Sequence, residues 1–370
     1  MITILHVSPD LRAGGTAQMA ADLACALQQR GDCHNIVVSP ANELVSKLRV
    51  TGAEHRLCFK PNLLNMPAEV LRLRSIISAT HPQIIQTYSA ESTLLATLAC
   101  RKLKVEKPIC IEVITSYPRR GISRLFHSGS NAFITISKHL RQILTDGIFK
   151  KRRRDIMMIP YGVNEKQCHP SFRLSADKSE QWRTAQPEAA GKLTLCLPAP
   201  ISPLHGIEDL APILTTLLHQ GIPVHAYIAG DSRKADSIYT EQLKTKFAQA
   251  GLSEHISWMG ARPDLREVMC ACDIILTLTK APATYNRPVL EALALGRPVV
   301  GYDHGVIGEL LETFLPEGRI APGDTAAVAD TIAQWHTYRP STITEIPYPY
   351  RISDTADSCM QLYATMLHKS

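Results

Sequence analysis

Apolar residues along the 370-residue chain fall into two alternating patterns. Short runs rich in Ile, Val and Leu recur at 2–7, 35–38, 84–88, 109–114, 132–136 and 156–159, and again at 193–197, 224–228, 256–259, 273–279 and 299–300. Runs apolar on both faces predict strands covered by helices on each side, as in a parallel sheet. Residues 54–59 form a weaker run of the same kind. Between the runs, apolar residues sit at helical spacing. Helices are expected at 16–30 (Leu23, Ala24 and Leu27 on one side), 43–53, 67–79 (Leu71, Ile76 and Ile77 inward), 138–144, 207–220, 239–250 and 265–271. Further helices are expected to open at 306–311 and to span 324–335 and 354–367. Strand alternating with helix, twice over, predicts an α/β chain of two doubly wound domains.

The length suits two cores better than one. Residues 1–168 read as the first domain, 169–191 as a polar linker, 192–350 as the second domain and 351–370 as a terminal helix. No stretch reaches the roughly 18 apolar residues of a membrane-spanning helix, and the first residues read as a strand rather than a signal peptide. Ten cysteines are scattered and match no zinc or redox spacing, so reduced thiols in a cytoplasmic protein are expected. Net charge is +6, but it is uneven: fourteen Lys and Arg stand against three acids between Arg101 and Arg154. A basic face of that kind favours an anionic partner, whether membrane surface, phosphorylated glycolipid or nucleic acid. The run Lys150-Lys151-Arg152-Arg153-Arg154 reads either as a solvated loop or as a contact with an anionic leaflet. No nucleic-acid-binding context accompanies it.

Candidate chemistry concentrates between residues 283 and 311. Asn286 suits a helix N-cap, Pro288 its first turn and Gly296 the position past its end. Val299 and Val300 make a strand, Gly301 and Gly305 bracket a turn, and a second helix opens at Val306. Small residues there expose backbone N–H groups at a positive helix end, a seat for phosphate. Glu291, one turn into the first helix, has the reach to clasp a ribose hydroxyl pair. An ordinary helix–strand–helix unit gives the same local pattern, and an ion pair with Arg287 four residues earlier is the plain alternative for Glu291.

The run Glu291-Ala292-Leu293-Ala294-Leu295-Gly296-Arg297-Pro298-Val299-Val300, followed by a Gly-bearing turn ending at Glu309, resembles the donor-binding segment of glycosyltransferase family 4. Pro160-Tyr161-Gly162-Val163-Asn164 and Ala229-Gly230-Asp231 resemble other family segments. These are retaining enzymes with two Rossmann-like domains facing a cleft (GT-B), and the fit is best to branches that build lipopolysaccharide core or other surface polysaccharide. The resemblance implies an acceptor-binding first domain, a nucleotide-sugar-binding second domain and a last helix that crosses back to the first. It implies a donor seat of Gly14, Gly15, Arg262, Glu291, Gly305, Val306, Ile307, Gly308 and Glu309. It also implies catalytic contributions from His205, Gly15 and Arg287, with Arg233 a further candidate cation, and an acceptor side at Tyr88, Ser116, Arg119 and Arg120. The donor expected is a UDP- or GDP-sugar, with no cofactor and no metal.

Three positions depart from the family pattern: Ala283 replaces a Glu, Pro200 an Arg and His205 a Lys. The turn 303–306 also carries one glycine fewer than relatives tend to have. Two functional readings therefore stand side by side. One is an active transferase that moves sugar to a lipopolysaccharide-type or other surface glycan. The other is a degenerate member that binds nucleotide or glycan, or scaffolds an active partner. The expected location is cytoplasmic, and peripheral on the inner membrane face if the basic run is functional.

Overall fold

The computed structural model describes residues 1–11, 15–58, 65–103, 105–117, 126–147, 149–150, 155–232 and 236–369. Two compact units emerge: Met1–Asn164 together with Tyr348–Ser370, and Glu165–Pro347.

The first unit is built on β1 (Ile2–Val7), β2 (Cys33–Ser39), β3 (Glu54–Leu57), β4 (Ile84–Thr87), β5 (Ile109–Ile114), β6 (Ala132–Thr135) and β7 (Ile156–Met158). Its strands are all parallel in the order β3-β2-β1-β4-β5-β6-β7. Helices α1 (Gly15–Arg30), α2 (Val45–Thr51), α3 (Met66–Thr80), α4 (Ala90–Cys100) and α5 (Lys138–Asp146) cover it. Two expectations change. Leu71 points outward, 62% exposed, and Leu73 and Ile77, one turn apart, bury the inner stripe of α3. Helix α4 was not anticipated, because its small and apolar residues form no stripe; Ser89 caps it by accepting from the Ser92 N–H.

The second unit carries α6 (Ala176–Ala185), β8 (Leu193–Leu197), α7 (Leu210–His219), β9 (Val224–Ile228), α8 (Ser237–Gln249), β10 (Ile256–Trp258), α9 (Leu265–Ala271), β11 (Ile274–Thr277), α10 (Arg287–Ala294), β12 (Val299–Tyr302), α11 (Gly305–Phe314), β13 (Arg319–Ile320) and α12 (Thr325–Thr337). Its parallel sheet runs β10-β9-β8-β11-β12-β13. The polar stretch before β8 packs on this unit: Trp182 meets Tyr227 edge-on at 5.3 Å, and Lys178 reaches Glu267 at 2.6 Å. Gly301 lies inside β12 rather than in a turn. A Cβ there would sit 2.2 Å from the Thr277 methyl of β11, so the two strands need a glycine to lie this close.

The chain ends in α13 (Ile352–Lys369), which packs on α1 within the first unit. It buries Tyr363, whose hydroxyl donates to Gln86. Among the described residues no helix is long and apolar enough to cross a membrane, and all ten cysteines are free.

Candidate active site

Both sheets reverse strand order, between β1 and β4 in the first unit and between β8 and β11 in the second. Open α/β sheets bind ligands outside the carboxyl ends of strands at such a point. In the second unit three loops converge there. The loop after β8 is tied to the loop after β11 by Lys280 N–H donating to Leu204 O at 2.9 Å. Gly206 lies so close that a Cβ would fall 1.9 Å from Leu278 O. The turn after β12 joins them: His304 Nε2 lies 2.7 Å from Thr279 O, and Val306 N–H donates to Ala283 O at 2.9 Å. Ala283, where the family resemblance implies a Glu, therefore touches the start of α11 through its backbone.

That helix start is the strongest feature of the site. His304 is its N-cap in an extended conformation but supplies no side-chain cap. Of the first amides, Val306 is spent on Ala283, and Gly308 donates to His304 O at 3.3 Å. This narrows the expectation that all of Gly305, Val306, Ile307 and Gly308 offer amides. Gly305 and Ile307 are the two with no acceptor among the described residues. Gly308 packs against Asp303, whose carboxylate is held by Arg319 at 2.8 Å. Glu309 follows in the first turn, half-buried.

Helix α10 forms as its sequence demands: Asn286 Oδ1 accepts from Val289 N–H, and Pro288 is the second helical residue. Gly296 follows with φ +66°. Glu291 keeps 15% of its side chain exposed, so it is not sealed in the core. Arg287 Nε donates to it at 2.7 Å, so the plain ion-pair alternative does occur. Burial first, and the charge of Glu291 second, push the nearby Cys168 thiol up to about 12. Neither Cys168 nor Arg266, which also acts on it, carried a signal in the sequence. Arg262 makes a two-pronged pair with Asp264 at 2.8 and 2.6 Å. Burial works against the Asp264 charge, but the bonds from Arg262 outweigh it and hold that carboxyl low. Arg262 is thus committed to Asp264 before any base arrives.

The replaced cation positions are informative. His205 is half-buried with Nδ1 2.8 Å from Ser202 Oγ. Lys280, which sequence reasoning passed over because it follows a strand without a motif, lies beside the same loop. Its ammonium pairs with Glu208 at 2.6 Å and Asp209 at 3.2 Å. Tyr239 donates to Glu208 and Tyr302 to Asp209, so the cluster is closed on itself.

In the first unit Gly15 opens α1 with φ +50°, and Thr16 Oγ1 lies 3.2 Å from Thr115 Oγ1. Ser116 is exposed after β5, and Tyr117 beside it bonds His139 Nε2 at 2.8 Å. Tyr88 does not belong on an acceptor surface: it is 3% exposed, stacked on His6, and bonded to His6 Nδ1 and Gln86 Nε2, both at 2.9 Å. Gly14, Arg119, Arg120, Lys151, Arg152, Arg153, Arg154 and Arg233 lie outside the described residues. Among the described residues no group of three or more His, Cys, Asp or Glu side chains is placed to hold a metal ion.

Two parallel sheets of this order in one chain define the GT-B class of glycosyltransferase fold. The solved structures with this arrangement include a glycosyltransferase from Rickettsia africae ESF-5 (TM-score 0.83, 18% identity, 100% of this chain and 99% of that one). Anabaena Alr3699/HepE in complex with UDP and glucose is similar (TM-score 0.81, 17% identity, 99% and 100%). The family model for glycosyltransferase family 4 matches residues 13–167, and that for glycosyl transferases group 1 matches residues 194–337. The chain belongs to these glycosyltransferases. It is also 26% identical over 185 residues to the lipopolysaccharide core biosynthesis mannosyltransferase LpsB of Rhizobium meliloti (strain 1021). That match spans 50% of this chain and 51% of the relative.

Proposed function

We propose that the chain is a retaining glycosyltransferase. It takes a sugar from a UDP- or GDP-sugar and adds it to a lipopolysaccharide-type or other surface glycan, without metal or cofactor. The observation that carries this is the start of α11: an uncapped helix end where half-buried Gly305 has no acceptor for its amide among the described residues, with Glu291 on the helix α10 packed against it. Amides and a helix dipole aimed at a departing diphosphate stabilise charge as it develops. The ribose falls to Glu291, whose second oxygen lies beyond its bond with Arg287. That HepE was solved with UDP and glucose, and that LpsB is named a core mannosyltransferase, supports the donor and acceptor classes.

A degenerate, binding-only member is the second reading. It is favoured by the replacement of the Arg and Lys positions with Pro200 and His205 and by the closed pairing of Lys280 with Glu208 and Asp209. A nucleotide and nucleotide-sugar panel, read first as melting-temperature shifts and then as donor hydrolysis, separates the two. Binding with turnover is expected, and binding without turnover selects the second reading. Glu291→Ala is expected to lower nucleotide affinity about 10- to 100-fold, the scale of a lost charge-assisted hydrogen bond. Unchanged affinity places the donor seat elsewhere. Contact with an anionic membrane face is the partner reading for the basic first unit.

A further inference from the structure

We propose that the second unit carries a further binding site, for a small phosphate monoester, at the end of its sheet opposite the candidate donor loops. Those loops follow the carboxyl ends of β8, β11 and β12. At the amino ends of β8 and β11, beside the last turn of α12, lies a cavity of about 260 Å³. Three segments build it. Gly191, with φ +71°, turns the chain into β8 and sets Lys192 on the cavity wall. Asp273 stands directly before β11. Helix α12 brings Trp335 and His336, then releases the chain into Arg339.

The polar side chains lining this cavity are mostly donors. Asp273 is the one acid, and it is already satisfied. One of its oxygens accepts from Thr194 N–H and Oγ1 at 3.0 and 2.8 Å, the other from Arg339 Nη2 at 2.6 Å. That bond fixes the Arg339 guanidinium by one nitrogen and leaves its other N–H groups unspent among the described residues. Lys192 is half-buried, and its ammonium has no carboxylate partner among the described residues. Trp335 is only 5% exposed, yet its indole N–H has no acceptor among the described residues. A Cβ on Gly318 would stand 3.3 Å from Trp335 Cη2, so the ring is held from behind. A nearly buried donor left unpaired is costly unless something on the open side accepts from it. Water can do so, but an ammonium and a guanidinium beside the indole select an anion. With His336 neutral, the lining carries one net positive charge. The space equals roughly eight or nine waters, more than inorganic phosphate fills and less than a drug-sized ligand needs. The remaining wall is apolar and takes a small carbon body.

Titration calorimetry of the full chain with glucose 6-phosphate, inorganic phosphate and glucose tests the assignment, and hydrogen exchange locates the bound ligand. Glucose 6-phosphate is expected to bind more tightly than inorganic phosphate, to slow exchange across 335–339 and to leave 303–308 unchanged. K192Q/R339Q is expected to weaken it about 100-fold, toward the low end for two charge-assisted hydrogen bonds because Arg339 is largely exposed. K244Q/K246Q, on exposed α8 of the same unit, is expected to bind as the unaltered chain does, with melting temperatures showing that both variants fold. Equal losses in the two variants overturn the proposal. So does no binding of glucose 6-phosphate, equally tight binding of glucose or of inorganic phosphate, or protection confined to 303–308. The assignment goes beyond the donor reading and is scored apart from it: if neither UDP nor GDP shifts the melting temperature of the unaltered chain, that reading fails and the glucose 6-phosphate result still stands.

Discussion

At the scale of single residues, the second unit is arranged around a close approach at Gly305. Its φ is +54°, and a Cβ there would sit 2.6 Å from Ala283 O and 2.8 Å from Ala283 N. Gly52 has a similar left-handed φ of +80° with open space around it. Both positions pay the conformational penalty of a side chain in that region, roughly 1–2 kcal/mol, but only Gly305 adds a collision with backbone. Gly305→Ala is expected to cost at least about 1 kcal/mol more than Gly52→Ala in urea unfolding, and to weaken nucleotide binding as well. Equal costs would show that the loop after β11 does not press on α11. Much at this scale was legible in the sequence. Asn286, Pro288 and Gly296 fix where α10 starts and stops, and so fix Glu291 one turn in. What was not legible is how each charge is spent. Arg262 on Asp264, Lys280 on Glu208 and Asp209, and the Val306 amide on Ala283 depend on loops meeting in space, and no local spacing encodes that.

At the scale of elements, α13 is fastened to the first unit by a buried polar chain. Tyr363 donates to Gln86, Gln86 Nε2 to Tyr88, and Tyr88 meets His6 Nδ1, while His6 Nε2 lies 3.1 Å from Asn35 Oδ1. Burial lowers the His6 pKa from 6.5 to about 4, with the Asn35 bond opposing it. A folded-state pKa below the unfolded value means that the unfolded chain binds the extra proton. Stability from this neutral imidazole is therefore complete above about pH 6.5 and is lost as pH falls toward 4. Between pH 7 and pH 5 the loss is expected to be about 2 kcal/mol. Urea unfolding of the unaltered chain and of His6→Gln at both values checks this: the acid-induced loss shrinks by about that amount in the variant. An identical pH slope would contradict a neutral, buried His6. The strands were legible because an apolar run with turn residues at each end has few alternatives. Helix α4 was not, because AESTLLATLAC has no polar face, and Leu71 was misplaced because neighbouring leucines on α3 compete for one inner stripe.

At the scale of the whole molecule, one topology occurs twice in one chain, with the sheet order 3-2-1-4-5-6 in the second unit and one further strand in the first. The alternating strand and helix pattern was enough to predict that repeat. The chemistry is divided unevenly. On the proposed reading, Pro200 and His205 stand where the family resemblance implies cations, and charge stabilisation at the donor diphosphate falls to backbone amides and a helix dipole. Hydrogen exchange of the intact chain, with and without UDP or GDP and with the matching nucleoside as control, tests this most directly. The diphosphate is expected to slow exchange across 303–308 while the nucleoside alone does not, and Glu291→Ala is expected to weaken the protection given by the diphosphate. Tight binding of a nucleoside diphosphate that leaves exchange across 303–308 unchanged would contradict it.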